Sequence, residues 1–221
     1  LKTWNQLHIH LLLTMRFNQV GIIIGMRGTG KSLFVLGSRY ISKAEDKALG
    51  IKGVLDIYLK KNMKVLIIDT LDHPAYRAIP VINQENFTKW TSGIVRTFLE
   101  PDDIMKVINI INTTPSMNNT LIICEDAGKY TDTRLPRPFK RMIADSKQRN
   151  IDIIFMYHCF MDTPTDVFRK GVDYIQLFKT EDNPLVRKNN LRLFDKVLAA
   201  YEEVKKHPSN FFGKFIDTRT N

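Results

Sequence analysis

Short, nearly continuous apolar runs alternate along the chain with longer segments in which apolar residues recur at helical spacing. The runs lie at residues 19–25, 63–69, 120–124, 151–157 and 173–178. Continuous runs of this kind are typical of strands that are buried on both faces of a parallel sheet. The helical segments are 31–44, 50–59, 102–112 and 187–206. The pattern therefore predicts an α/β fold in which helices flank a mostly parallel central sheet.

The length of the chain limits the number of domains. With 221 residues, the chain has the size of one α/β domain. We predict a single domain over 1–221, with a core at about 17–180 and a C-terminal helix and tail at about 185–221. Residues 7–15 predict a packing helix rather than a signal peptide, because they lack a small-residue cleavage site. For residues 209–221 we expect a frayed terminus, with docking on a neighbour as the alternative.

Composition and charge narrow the class of protein. The chain is 43% hydrophobic and 25% charged, which is ordinary for a globular protein and excludes a disordered or collagen-like chain. Two cysteines inside apolar runs predict a reducing, cytoplasmic location. No apolar run approaches the roughly 20 residues of a membrane span, so we expect no integral membrane segment. The net charge of +10 permits a polyanionic partner, although it also fits a solubilising surface.

The most specific motif is GMRGTGKS at residues 25–32, between a predicted strand and a predicted helix. Its glycines let successive backbone N–H groups point at one anion at the positive end of the helix. Lys31 would place its ammonium between the β- and γ-phosphates, and the Ser32 hydroxyl would bind Mg²⁺. We therefore expect ATP and Mg²⁺ as ligands. The predicted nucleotide contacts are Gly25, Arg27, Gly28, Thr29, Gly30, Lys31, Ser32 and Leu33.

An acidic pair, Glu125 and Asp126, directly follows the run 120–124. Hydrolysis needs a carboxylate on the metal and a second group that orients or deprotonates water. By position we assign Glu125 to Mg²⁺, together with Ser32, and Asp126 to the attacking water. An acidic strand end that caps the next loop is the alternative. Asp69 ends the second run and is a candidate to support the same site from behind.

His158 directly follows the run 151–157. It could sense the γ-phosphate, or it could be a half-buried histidine bonded to a loop carbonyl. Before this run, residues 128–150 carry seven Lys or Arg and two Asp. In a ring of such domains, one of these arginines could reach a neighbour's γ-phosphate as an arginine finger. Arg149 is the first choice and Arg141 the second. A solvated basic face is the alternative for each residue.

The order of these motifs resembles the FtsK–HerA superfamily of P-loop ATPases, which includes viral DNA-packaging ATPases and Zot-like assembly proteins. The resemblance rests on GMRGTGKS, on VLIIDTLDHPAY, on LIICEDA in the Walker B place, and on the segment from SKQRN to DYIQLF. It implies a RecA-like ASCE P-loop NTPase fold with a five-stranded core, in which the sensor strand lies between the P-loop and Walker B strands. It further implies a hexameric or similar ring with DNA in its channel and ATP at subunit interfaces.

Two features depart from the family pattern. The sensor is usually Gln where His158 stands, and the acidic pair has the order Glu-Asp rather than Asp-Glu. These departures affect the coupling of hydrolysis to movement more than the binding of nucleotide. The catalytic residues that we predict are Lys31, Glu125, Asp126, His158 and Arg149.

We therefore interpret the chain as an ATP-hydrolysing DNA translocation motor, in particular a viral genome-packaging ATPase. Its expected partners are double-stranded DNA, further copies of the chain in a ring, and a viral capsid or membrane-associated protein. Within the same superfamily, a Zot-like phage assembly or conjugation ATPase is the alternative. From other classes, a small-molecule P-loop kinase and a nucleotide-binding regulator without hydrolysis stay open.

Overall fold

The computed structural model describes residues 18–60, 63–170 and 172–219, and in them a seven-stranded sheet runs through the centre. The strands are β1 (Val20–Ile24), β2 (Lys64–Asp69), β3 (Ile94–Phe98), β4 (Thr120–Cys124), β5 (Ile151–Tyr157), β6 (Tyr174–Leu177) and β7 (Lys214–Asp217). Their order across the sheet is β3-β2-β4-β5-β1-β6-β7, and all neighbours are parallel except β6 and β7. The predicted fold class, a mostly parallel sheet flanked by helices, is confirmed.

Helices cover both faces of the sheet. They are α1 (Lys31–Tyr40), α2 (Ala44–Lys47), α3 (Val54–Lys60), α4 (Ile104–Thr113), α5 (Arg137–Arg149), α6 (Thr165–Lys170) and α7 (Phe194–Lys206). Alternate residues of each strand point to opposite faces, so that Ile22 and Ile24 pack with α4, α5 and α7, whereas Ile23 packs with α1 and α3. Because both faces are covered, most strand positions are occupied by apolar residues, which explains the nearly continuous runs.

Two strands were missing from the sequence prediction, which counted five. In β3 the apolar run is interrupted by Arg96, whose buried guanidinium is paired with Asp69 and Asp72. The other, β7, is a short strand inside the segment that we expected to be frayed, and that expectation is wrong for residues 212–219. Here β7 pairs antiparallel with β6 and buries Ile216. The predicted helix at 7–15 lies outside the described residues.

Helix boundaries also differ from the prediction. The predicted helix 187–206 begins only at Phe194, after a 3-10 turn at Pro184–Arg187. The predicted helix 31–44 ends at Tyr40, where Ile41 takes an extended conformation, and the short helix α2 follows. Helix α5 lies within the basic segment 128–150, where we predicted no helix; it buries Phe139 and Met142 against the sheet. In the described part of the chain, every helix is too short or too polar to cross a membrane.

The strand order brings the sequence motifs to one edge of the sheet. Strand β5 lies between β4 and β1, as the resemblance implied for a sensor strand. Because these three strands are parallel, the residues that follow them emerge at the same edge. The glycine-rich loop follows β1, the acidic pair follows β4, and His158 follows β5.

The C-terminal strand offers a test of the fold. Ile216 is 3% exposed, so Ile216→Ala should lower the free energy of unfolding by about 2 kcal/mol through lost apolar contact and a residual cavity. Val186→Ala is the matched control, because Val186 is 46% exposed and its truncation should have little effect. Urea unfolding followed by circular dichroism measures both variants. Equal stability of the two would contradict the docking of β7.

Candidate nucleotide-binding site

The glycine-rich loop curls between β1 and α1 because its glycines adopt conformations that other residues avoid. Gly28 and Gly30 have φ values of 75° and 91°, in the left-handed region. A Cβ on Gly25 would lie 2.6 Å from the Cβ of Phe178, so the loop could not approach β6 with any larger residue. The Thr29 hydroxyl donates to the Met26 carbonyl at 2.8 Å and fixes the turn. The N-terminus of α1 therefore opens onto a preformed anion site.

Lys31 turns its side chain back over the loop. Its ammonium donates to the carbonyls of Gly25 and Met26, the latter at 3.1 Å, and lies 3.4 Å from Nδ1 of His158. Burial lowers the pKa of Lys31, although the nearby carboxylates of Glu125 and Asp126 oppose this effect. Charged phosphate oxygens are better acceptors than these carbonyls, so an anion in the loop would compete for the ammonium.

Glu125 is buried at the end of β4 and is joined to Ser32 through Tyr76. The Tyr76 hydroxyl donates to Oε2 of Glu125 at 2.6 Å and lies 3.4 Å from Oγ of Ser32. Burial raises the pKa of Glu125 to about 7, while the hydrogen bond from Tyr76 acts in the opposite direction. A hydroxyl oxygen and a carboxylate oxygen thus face the same point, which is a donor set that fits Mg²⁺.

Asp126 has a different environment from its neighbour. Its Oδ1 lies 2.6 Å from Nε2 of His158, and its Oδ2 lies 3.4 Å from the ammonium of Lys129. Burial alone would raise the pKa of Asp126, but the contacts with His158 and Lys129 outweigh it and lower the pKa to about 2. The different surroundings of the two adjacent carboxyl groups therefore give them different pKa values.

His158 lies between the loop lysine and Asp126. Its Nδ1 lies 3.4 Å from the ammonium of Lys31, and its Nε2 lies 2.6 Å from Oδ1 of Asp126. The imidazole thus connects the phosphate loop of β1 with the acidic pair of β4. A change in the position of Lys31 would reach Asp126 through this ring.

Tyr76 is a site residue that sequence reasoning missed. It lies in a 3-10 turn (Pro74–Tyr76) after β2, and this turn is held by Asp69, whose carboxylate accepts hydrogen bonds from the backbone of Leu71 and His73. Arg96 pairs with the same carboxylate at 3.0 Å. Asp69 therefore supports the site from behind, through the turn that carries Tyr76. No local pattern in the sequence marks Tyr76, because its contacts come from three separate strand ends.

The basic segment 128–150 is divided among several environments. Lys140 pairs with Asp166 at 2.8 Å, and Arg141 lies 3.5 Å from Asp145. Arg149 donates to Oδ1 of Asn118 and to the Thr114 carbonyl, at the edge of the sheet opposite the glycine-rich loop. Three further basic residues of the segment are exposed: Arg134, Arg137 and Lys147.

The glycine-rich loop, the acidic pair and His158 line one cavity of about 550 Å³. Of the predicted nucleotide contacts, the structure brings Arg27, Gly28, Thr29, Gly30, Lys31, Ser32 and Leu33 to this cavity. Gly25 lies behind the loop, where its carbonyl accepts from Lys31. The cavity can therefore offer an anion both backbone donors and the ammonium of Lys31.

Comparison with known proteins links this geometry to a fold. The sequence matches no protein-family profile and no curated protein. The genome packaging NTPase B204 from Sulfolobus turreted icosahedral virus 2, in complex with ATPγS, superposes with a TM-score of 0.65 at 14% identity, over 92% of this chain and 98% of that chain. The DNA-packaging ATPase B204 from Sulfolobus turreted icosahedral virus gives a TM-score of 0.66 at 17% identity, over 93% and 95% of the two chains. This chain has the fold of a genome-packaging ATPase.

The predicted fold class is thus confirmed, because the chain shares the P-loop NTPase fold of these two structures. The N-terminal domain of zonular occludens toxin from Neisseria meningitidis superposes less well, with a TM-score of 0.41 at 15% identity over 75% of this chain and 79% of that chain.

The buried carboxyl group of Glu125 makes the stability of the metal-free protein depend on pH. Its pKa is about 7 in the folded chain against 4.5 ordinarily, so the folded state binds more protons between these values and loses stability as pH rises. Glu125→Gln removes this ionisation. The free energy of unfolding of the variant should be higher than that of the unsubstituted protein by up to about 3 kcal/mol at pH 8. At pH 4 the two values should be equal.

Urea unfolding in EDTA at the two pH values measures this difference. Glu85→Gln is the control, because Glu85 is exposed. A gain that did not change with pH would contradict the raised pKa of Glu125.

Proposed function

We propose that the chain is an ATP-hydrolysing motor that moves double-stranded DNA, and in particular a viral genome-packaging ATPase that works as a homo-oligomeric ring. The observation that carries this proposal is the meeting of the glycine-rich loop, two carboxylates and His158 at one edge of the sheet. The similar structures are a genome packaging NTPase in complex with ATPγS and a DNA-packaging ATPase, and this similarity supports the same activity. A capsid or membrane-associated protein would be a further partner.

Nucleotide binding would use the loop and the first turn of α1. The backbone N–H groups from Gly28 to Leu33 would bind the phosphates, and the ammonium of Lys31 would leave the loop carbonyls for the β- and γ-phosphates. Ser32 and Glu125 would hold Mg²⁺, since their oxygens face the same point beside Tyr76. The metal, when bound, neutralises charge on the phosphates.

Hydrolysis would use Asp126 to orient the attacking water. With a pKa of about 2, Asp126 is ionised at neutral pH and accepts hydrogen bonds from water rather than donating them. Its position next to His158 would tie the orientation of this carboxylate to the phosphate loop, because His158 also contacts Lys31. His158 is therefore the group that we assign to sensing the γ-phosphate.

A small-molecule kinase would need a mobile, arginine-bearing lid over a second substrate. The basic segment that follows Asp126 does not have this form. Most of it is helix α5, which is packed against the sheet through Phe139 and Met142, both 0% exposed. This packing favours the motor over the kinase.

Arg149 remains our choice for a residue that acts on the γ-phosphate of a neighbouring subunit, with Arg141 second. Within its own chain, Arg149 joins the end of α5 to the loop after α4 through Thr114 and Asn118. Its NH1 group is buried without a hydrogen-bond partner among the described residues. To act on a neighbour's nucleotide, the guanidinium would leave its contacts with Thr114 and Asn118 and bind a phosphate oxygen instead.

The proposed activity predicts ATP hydrolysis that double-stranded DNA stimulates. We expect at least about tenfold stimulation at low salt, falling steeply as salt increases because phosphate contacts release counterions. The measurement is phosphate release at protein concentrations that permit assembly. Lys31→Ala should abolish nucleotide binding and turnover, whereas Lys89→Ala, on the exposed turn before β3, should change neither.

ATP binding without DNA-stimulated turnover would remove the motor and leave the regulator. Phosphate transfer to a small molecule, in place of hydrolysis, would indicate the kinase.

The trans role of Arg149 is tested by mixing subunits. If Arg149 acts on a neighbour's nucleotide, Arg149→Ala subunits should inactivate the subunits beside them. The activity of a mixture should then decrease more steeply than the fraction of unsubstituted subunits in it. Lys147→Ala, an exposed change two residues away on the same helix, is the control and should dilute activity in proportion. Thermal unfolding of each variant shows whether the contact with Thr114 has been lost. If the Arg149→Ala variant remains folded and activity decreases linearly with the fraction of variant subunits, the trans role is contradicted.

A further inference from the structure

The loop that follows β5 begins with His158, and two of its residues have all their backbone polar groups bound by side chains of one distant segment. Asp182 accepts hydrogen bonds from the N–H groups of Phe160 and Met161, at 3.1 and 2.7 Å. Arg187 donates from Nε to the Phe160 carbonyl at 3.0 Å and from NH2 to the Met161 carbonyl. One carboxylate and one guanidinium therefore hold the backbone two and three residues beyond His158.

These contacts fix the loop more firmly than backbone hydrogen bonds alone would. Hydrogen bonds that involve an ionised group are roughly twice as strong as neutral ones, and a guanidinium presents its N–H groups in a rigid fork. The Phe160 ring is also buried, and it stacks on Phe168 with 6.3 Å between the ring centroids. His158 thus lies between Tyr157, the last residue of β5, and a backbone that is held two residues later. The direction of the imidazole is therefore tied to the carboxylate and the guanidinium.

The segment that supplies this carboxylate and this guanidinium also contacts the glycine-rich loop. We call residues 179–187 the bridging segment. At its first residue, the carbonyl of Lys179 accepts a hydrogen bond from the N–H group of Met26 at 2.8 Å. The glycine-rich loop and the loop after β5 meet at Lys31 and His158, whose side chains are 3.4 Å apart. The bridging segment therefore joins, from a second side, the same two loops that meet at the phosphate cavity.

The bridging segment is held internally by hydrogen bonds of its own. The Thr180 hydroxyl donates to the Asp182 carbonyl at 2.7 Å, and the Asn183 side chain accepts from the N–H group of Leu185 at 2.9 Å. Pro184, which is buried, begins the 3-10 turn that ends at the guanidinium-bearing residue. Its ring fixes one backbone angle of this turn. A segment of this kind passes a displacement from one end to the other rather than absorbing it.

We propose that Asp182 and Arg187 are positioning residues for the γ-phosphate sensor. They hold the loop after β5 so that His158 faces the terminal phosphate of ATP, and through the bridging segment they make this loop move together with the glycine-rich loop. The inference rests on the proposed role of His158 in sensing the γ-phosphate. Neither positioning residue lines the phosphate cavity, so each acts on the nucleotide through His158.

The test compares the binding of ATPγS and of ADP by titration calorimetry with Mg²⁺, because only ATPγS carries a group at the γ-position. The unsubstituted protein should bind ATPγS more tightly than ADP. His158→Ala should lower this preference by about tenfold, the usual effect of losing one hydrogen bond to a charged group. Asp182→Ala should lower it to the same extent and should leave the affinity for ADP within about twofold, because the contacts of the glycine-rich loop remain.

Conservative variants and controls separate positioning from a general loss of stability. Arg187→Ala should behave as Asp182→Ala does. Arg187→Lys keeps the charge without the fork, and Asp182→Asn keeps one of two acceptor oxygens, so each should lower the preference by only about threefold. Glu181→Ala and Lys188→Ala are the matched controls, because these exposed residues carry the same charges at the adjacent positions. Both controls should keep the full preference.

The double variant with Asp182→Ala and His158→Ala tests whether the positioning acts through His158. If it does, the double variant should show the same preference as His158→Ala alone, because no imidazole is left to position. Losses that add up in the double variant would overturn an action through His158.

The outcomes separate this inference from the proposed function. If His158→Ala lowers the preference whereas Asp182→Ala and Arg187→Ala keep it, the positioning role is overturned and the sensor stands. Thermal unfolding shows which variants are folded; should the alanine variants fail to fold, an unchanged preference in both Asp182→Asn and Arg187→Lys overturns the positioning role instead. An unchanged preference in His158→Ala would contradict the sensing role of His158 and this inference with it. If the unsubstituted protein bound neither nucleotide, the proposed function itself would be contradicted.

Discussion

The hydrogen bond from Tyr76 to the buried carboxyl group of Glu125 is the contact on which the site depends. It joins three separate parts of the chain, because Tyr76 follows β2, Glu125 follows β4, and the same hydroxyl lies near Ser32 at the start of α1. A buried carboxyl group without a donor would be strongly destabilising. The turn that carries Tyr76 is held by Asp69, which is paired with Arg96. A buried ion pair at the edge of the sheet therefore supports the groups at its centre that we propose for metal binding.

The two carboxyl groups that follow β4 show how adjacent residues obtain different properties. Burial raises the pKa of Glu125 to about 7, whereas His158 and Lys129 lower the pKa of Asp126 to about 2 despite its burial. When environments move two pKa values apart in this way, the groups can take different roles in one reaction. The structure therefore gives a physical reason for separate roles even though the order of the pair is the reverse of the usual one.

Most of the fold was predictable where the sequence carries a pattern with one structural solution. Nearly continuous apolar runs predicted β1, β2, β4, β5 and β6, because a strand covered on both faces buries most of its side chains. The pattern failed at β3, where Arg96 occupies the middle of the strand, since its ion pair with Asp69 is visible only after folding. It failed again at β7, where Lys214 and Asp217 flank only two apolar residues.

The candidate site was likewise predictable from the sequence only in part. The glycine-rich loop was predictable because its glycines, Lys31 and Ser32 are adjacent in sequence and each has a defined role. Tyr76 was not, because it reaches Glu125 and Ser32 from a separate turn after β2, and nothing near it in sequence marks these contacts. Residues that act together only in three dimensions require the strand order, and the sequence alone did not supply the two edge strands.

Strand β5 links the two ends of the sheet that the proposed motor would use. Arg149 precedes it and His158 follows it, and its seven residues span roughly 20 Å at about 3.3 Å per residue. Because β5 is bonded to β4 on one side and β1 on the other, it cannot slide without breaking both ladders. A signal from nucleotide to a neighbouring subunit would therefore move the strand together with its sheet, as a rigid body. The groups free to change between states are then the side chains at its ends, such as His158, and the loops that carry them.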